Sequence, residues 1–292
     1  MTPDARTLVG SLVAVFLALA TGIAVGTLVP GQDAVLRQQQ AMIRRLEGEF
    51  DRLRDENRSF QAEIDALRGD AAIASRFAEK VLPAFAAGRL AGARVALVWV
   101  AGVGRDQRLR ADLEAAGAVV VAEVEVGGHP ADWPRAAQGL AGWLLGGGEG
   151  EGGEGGGPGP LGPPPAAAVD AVTVLAMPEE AATAVVLVGG RGDRASAAIP
   201  DVERFDRPFL RAARGRGAVV VACERRDAAR SLVGLYARDG VPTVDDIDLP
   251  AGRLALLWIL AGGEGDFGCR GAKTDLLPDL ALPWGTGVGG GE

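Results

Sequence analysis

The chain has 292 residues, room for one large domain or two small ones with appendages, and its 38 acidic against 30 basic side chains leave a formal net charge of −8. That acidity excludes a nucleic-acid-binding surface, which needs basic side chains to displace counterions from phosphate. Cys223 and Cys269 are the only cysteines and His129 the only histidine, so a Cys/His zinc site and a histidine-based triad are excluded too.

From Thr7 to Val29 no side chain is charged. As a helix these 23 residues rise about 34 Å, enough to cross a hydrocarbon core of about 30 Å. A cleaved signal peptide is the alternative, since Arg6 supplies a minimal basic start and Ala18-Leu19-Ala20 resembles a cleavage tripeptide. The apolar region is longer than the roughly 7–15 residues of such signals, and residues 1–30 read as an uncleaved membrane anchor. Arg6 alone precedes the apolar stretch while Arg37, Arg44 and Arg45 follow it, so charge does not favour an extracytoplasmic C-terminus. Ala14, Ala18, Gly22 and Gly26 recur every fourth residue, the small-residue spacing that lets two membrane helices approach closely.

Residues 31–80 read as a coiled coil. Leu36, Ile43, Phe50, Asn57 and Ile64 occupy positions a, and Gln39, Leu46, Leu53, Phe60 and Leu67 positions d. A lone asparagine at a, here Asn57, specifies a parallel, in-register dimer at some cost in stability. The flanking charges agree, because Glu49 would face Arg54 of a second copy and Glu63 would face Arg68. An amphipathic helix packed on its own domain is the competing reading.

Beyond Pro83 the pattern changes. "RVALVWV" (94–100), "AVVVAEVEV" (118–126), "AVVLVGG" (184–190) and "AVVVACE" (218–224) are short β-branched runs, separated by helically spaced segments such as "DQRLRADLEAAGA" and "RDAARSLVGLYARDG". Alternation of this kind predicts a Rossmann-like α/β domain with a parallel sheet over residues 90–283. A Gly/Glu/Pro-rich insertion at 146–166 and the tail 284–292 lack the apolar content to build a core and read as disordered.

The candidate sites each have a plain competitor. "AGVGRD" offers Gly102 and Gly104, with Glu123 about twenty residues on, but Gln107 stands where a dinucleotide fingerprint needs its third glycine, and a strand-to-helix turn is favoured. "VGGRGDR" (188–194) places glycines at a strand end, where backbone N–H groups could cradle an anion. Cys223 and Cys269 are candidate soft metal ligands or, outside the cytoplasm, a disulfide pair; buried small residues are the bland reading. Asp245, Asp246 and Asp248 crowd the start of the apolar helix "PAGRLALLWILAG". Asp248, just before Leu249-Pro250, reads as the helix cap, and the cluster as structural rather than metal-binding, since no other hard ligand accompanies it.

Together, "SLVAVFLALATGIAVGT" followed by a coiled coil, then "VVLVGG", "VPTVDDIDLPAGRLALLWILAGG" and "GDFGCRGA…LLP" resemble the mycobacterial copper transport protein B family of actinobacterial envelope proteins. The resemblance spans nearly the whole chain except the Gly/Glu insertion and the tail. It implies a non-enzymatic, single-pass membrane protein with an extracytoplasmic α/β domain, a role in copper transport or efflux and homeostasis, and copper as the metal handled; no cofactor is certain. The strands do not alternate as a transmembrane barrel would. A second expectation, from a different class, is a parallel dimeric scaffold for cell-envelope or division partners.

Overall fold

The computed structural model describes residues 5–27, 32–127, 132–146, 162–178, 180–190, 202–229, 231–270 and 277–278. The chain divides into two compact units, Met1–Ala71 and Ala72–Glu292.

In the first unit, α1 spans Ala5–Thr27, and Arg6–Thr27 is long and apolar enough to cross a membrane, with mean hydropathy 2.5 and none of the window buried. The hydroxyls of Ser11, Thr21 and Thr27 are satisfied within the helix. Thr21 Oγ1 donates to the Leu17 carbonyl at 2.6 Å and Thr27 Oγ1 to that of Ile23 at 3.0 Å, so they add little polar cost in an apolar surrounding. Ala14, Ala18, Gly22 and Gly26 all lie on this helix, and nothing comes within 4 Å of where a Cβ on either glycine would stand. The second helix, α2, runs from Gln32 to Ala86. Its heptad side chains are exposed along the first unit, Phe50 at 61% and Leu67 at 62% among them. Arg52 pairs with Glu49 and Glu56 one turn to either side, and Arg68 with Asp65, which stabilises the isolated helix only slightly.

In the second unit the last turns of α2 bury Leu82 and Ala86. There follow β1 (Arg94–Val100), α3 (Gln107–Ala115), β2 (Val119–Val126), α4 (Trp133–Leu144), the single turn α5 (Ala166–Val169), β3 (Val172–Ala176) and β4 (Ala184–Gly189). A π-turn at Val202–Asp206 leads into α6 (Arg207–Gly215), then β5 (Val219–Glu224), α7 (Val233–Arg238), β6 (Thr243–Val244), α8 (Pro250–Leu260) and β7 (Asp266–Phe267). The strands form one open sheet in the order β3-β2-β1-β4-β5-β6-β7, parallel except for β3 against β2.

Both faces of this sheet are covered, which explains the continuous apolar runs. Along β1, Val95, Leu97 and Trp99 join a core with α3, α8 and the end of α2, while Ala96, Val98 and Val100 join a second core with α4, α6 and α7. The β1–β2 register slips by one residue between Val95 and Ala96, leaving Val121 as the extra residue of a bulge that puts both Val121 and Ala122 on the second face. On the first face Arg253 is 1% exposed, held by Asp112 Oδ2 at 2.5 Å, the Asp248 carbonyl at 3.0 Å and, more distantly, Glu79. A buried guanidinium is tolerable only with such partners. It fastens α8 to α3 and the last turns of α2.

The four predicted strands are present to within one residue at either end. The helical reading of 226–240 is not met in full: only Val233–Arg238 is helical, and Ser231-Leu232 instead approach the Glu224 carboxylate. α2 continues to Ala86, beyond the predicted 80. Of the predicted insertion, Gly162–Pro165 packs on α4, where Trp143 Nε1 donates to the Gly162 carbonyl at 2.7 Å. Residues 147–161, the tail 284–292, His129 and Arg191–Arg194 lie outside the described residues.

Candidate functional site

Strand order reverses between β1 and β4, so the carboxyl ends of these two strands splay their following loops apart. Gly102 (φ 87°) and Gly104 (φ 76°) turn the chain after β1, and Gly190 (φ 96°) turns it after β4. Only glycine adopts these angles without strain. Between them lies a crevice of about 100 Å³ lined by Gly102, Val103, Gly189, Gly190, Arg225 and Asp227. That is well below the roughly 300–1,000 Å³ of ordinary ligand pockets. Glu123, the acid placed to read a ribose in a dinucleotide site, is committed to Trp99 Nε1 at 3.0 Å and Arg110 Nη1 at 3.4 Å. The turn reading of "AGVGRD" therefore describes this segment, with Asp106 capping α3 through the Arg108 amide.

Beside the crevice the sheet edge carries an unusual set of buried carboxylates. Glu224 closes β5 at 1% exposure; Oε1 accepts the Leu232 N–H at 2.5 Å and Oε2 has no hydrogen-bond partner among the described residues. Burial pushes its carboxyl up to about 7, with the Leu232 amide and Ser231 hydroxyl pulling the other way. Asp245 accepts two successive amides, Cys269 N at 2.6 Å and Arg270 N at 2.5 Å, and so shapes the turn after β7. Burial raises its carboxyl as well, opposed by those two amides and by the Arg270 charge. Asp246 is fully buried, and neither carboxylate oxygen has a partner among the described residues. Burial, then Asp245 and Asp248, push it up to about 6.

Asp248 is not the helix cap. Leu249 occupies the N-cap position of α8 with no side-chain bond, while Asp248 Oδ1 accepts the Arg226 N–H at 2.7 Å, tying the turn after β5 to the turn before α8. The carboxylate next to the first turn is that of Asp246: a Cβ at Gly252 would stand 2.4 Å from its Oδ1. Local spacing marks this cluster, but the roles within it depend on partners up to 25 residues away.

Nor do the cysteines pair. Cys223 is fully buried in β5 on the α8 face, and burial drives its thiol far above its usual range; Cys269 is exposed, and both are free. Cys223 is level with Val244 of β6, which is level with Phe267 of β7. One strand thus intervenes, a separation of about 10 Å against the roughly 7 Å limit between bridged Cα atoms. Among the described residues no three His, Cys, Asp or Glu side chains are placed to hold a metal ion. Two further site residues went unmarked by sequence reasoning. Glu224 had a visible signal, a charge ending an apolar run; Asp206, buried and accepting from Tyr236 Oη at 2.6 Å, had none.

A span-length apolar helix, a long helix with a heptad pattern and a doubly wound, largely parallel α/β domain define the class of architecture. The chain belongs to the copper transport outer membrane protein family MctB, whose model matches residues 4–138 and 167–278. The break in the match, 139–166, contains the Gly/Glu insertion. Comparison with curated proteins and with solved structures gave no match.

Proposed function

We propose that this protein acts in copper transport at the cell envelope as a parallel dimer, anchored by α1, with its α/β domain outside the cytoplasm. The observation that carries the reading is the family match, which takes in both the apolar helix and the α/β domain. Copper enters as cargo. Cys269 is the one accessible thiol among the described residues, and a lone thiolate makes a weak Cu(I) site, so the contribution of each copy is to assemble and present a surface rather than to enclose the ion. The exposed heptad seam with Asn57 at position a favours the dimer.

The test is cellular. Deleting the gene should raise cell-associated copper, measured by elemental mass spectrometry, and the wild-type chain and Cys269→Ser should both restore it. Unchanged copper content on deletion would remove the transport reading and leave the envelope scaffold. Orientation is tested separately: a reporter that fluoresces only in the cytoplasm, fused after Pro278, should be dark, and bright cells reverse the topology.

A further inference from the structure

A basic depression on the α/β domain lies away from the sheet edge described above. Arg207, Arg211 and Arg214 stand at i, i+4 and i+7 on α6, one face of one helix, and line a depression of about 470 Å³ together with Asp239, Leu210 and Val241. Three guanidinium groups thus meet two carboxylates, Asp239 in the lining and Glu203 one turn before Arg207, in a chain whose net charge is −8. Asp239 does not neutralise the trio so much as arrange it. Its carboxylate holds Arg207 bidentately, Nε at 2.6 Å and Nη2 at 3.0 Å, and its backbone carbonyl accepts from Arg214 Nη1 at 2.9 Å. Glu203 supports Arg207 from the preceding turn at 2.6 Å. Arg211, between the two fixed arginines, has no ion pair among the described residues and is exposed.

Fixed guanidinium forks suit tetrahedral oxyanions, because planar, pre-oriented donors lose little entropy on binding. The volume lies within the range of small-molecule sites, and the buried side chains of Leu210 and Val241 offer an apolar wall for a carbon skeleton. We propose that this depression binds a small soluble phosphate or sulfate ester, with Arg211 as the principal contact and Arg207 and Arg214 as its pre-oriented neighbours. The site is independent of the copper reading.

The experiment is isothermal titration calorimetry of the full chain in neutral detergent at low salt, with inorganic phosphate and glycerol 3-phosphate as probes and glycerol as the uncharged control. Saturable binding of both anions, none of glycerol, and a loss of about tenfold or more in Arg211→Gln are expected, the equivalent of about 1.4 kcal/mol for one guanidinium–oxyanion pair. Arg216→Gln, just past the C-terminal end of α6 and outside the depression, should bind as wild type. Unaltered thermal unfolding of Arg211→Gln shows that the variant is folded. The proposal is overturned if neither anion binds saturably, if Arg211→Gln binds as wild type, or if Arg216→Gln weakens binding equally, which marks diffuse charge. It is overturned too if only phosphatidylglycerol vesicles bind in an Arg211-dependent way, which moves the site from a soluble ester to a lipid surface.

Discussion

The two units use apolar side chains in opposite ways. In the second unit nearly every large apolar residue of the central strands is buried, Val95 to Val98 at 0%, whereas in the first unit the described apolar residues stand exposed, Leu17 at 67% and Phe50 at 61%. Both patterns come from periodicity, yet only the α/β domain finds the other half of its core within its own chain. A 3.6-residue stripe or an apolar helix specifies that a surface must be covered; it does not say by what. For α1 the length fits lipid, and for α2 the heptads fit a second copy.

The comparison breaks most visibly at the seam. Leu46→Asp together with Leu53→Asp places charges in successive d layers, removing four buried leucines from a dimer at roughly 1.5–3 kcal/mol each, so the detergent-solubilised chain should sediment as a monomer. Sedimentation unchanged from wild type would mean that the exposed stripe is not a dimer surface. Asn57→Ile acts in the other direction, raising the thermal midpoint while loosening the choice of oligomer. Within the α/β domain, Arg253→Ala should cost about 3–5 kcal/mol in denaturant unfolding, because it leaves Asp112 facing the interior without its partner. A cost below about 1 kcal/mol would show that water replaces the guanidinium.

A smaller effect tests the buried carboxylates. The Glu224 carboxyl stands at about 7 in the fold against 4.5 in its reference state, so the native domain binds the proton more tightly than the unfolded chain. That contribution is fully present below about pH 4.5 and is lost as pH rises through 7, on the order of 3 kcal/mol, with Asp246 adding the same sign up to about 6. Glu224→Gln keeps the acceptor for the Leu232 amide and should flatten stability between pH 5 and 8; an unchanged slope there removes Glu224 as the source. The smallest change is expected at Asp248, where alanine removes only the acceptor for the Arg226 amide, about 0.5–1.5 kcal/mol. Asparagine should restore most of it, and amide exchange at Arg226 rather than in the first turn of α8 is the discriminating readout.

The legible parts of the sequence were those in which neighbours along the chain are also neighbours in cause. The runs at 94–100 and 184–190 announce buried parallel strands because both faces of each strand are covered. Two-residue strands such as β6 and β7 have no period to read; Thr243 is placed by Asp266, which accepts from both its N–H and its hydroxyl. α6 escaped for another reason: five arginines between Arg204 and Arg216 mask the apolar stripe of Phe205, Phe209, Leu210 and Ala213 that binds it to the second core. The aspartate cluster was visible as a cluster, but Asp245 serves residues 269 and 270 and Asp248 serves residue 226, connections made only when β5, β6 and β7 lie side by side.

The contact at Gly252 has an implication for how this stretch tolerates change. A Cβ there would stand 2.3 Å from the Asp246 carbonyl and 2.6 Å from its carbon, so the obstacle is main chain and cannot swing aside as a side chain can. A serine or alanine at 252 must push the whole 245–249 turn outward, and with it the Asp245 carboxylate that organises the turn after β7. In a library of random variants, position 252 should therefore be as intolerant as the centre of the core although glycine contributes no side chain to pack, and survivors should carry a second change within 245–249. Inheritance at these positions is joint: "DDID" and the glycine four residues after Asp248 form a single unit of variation, separated in the text of the gene but not in the space they share.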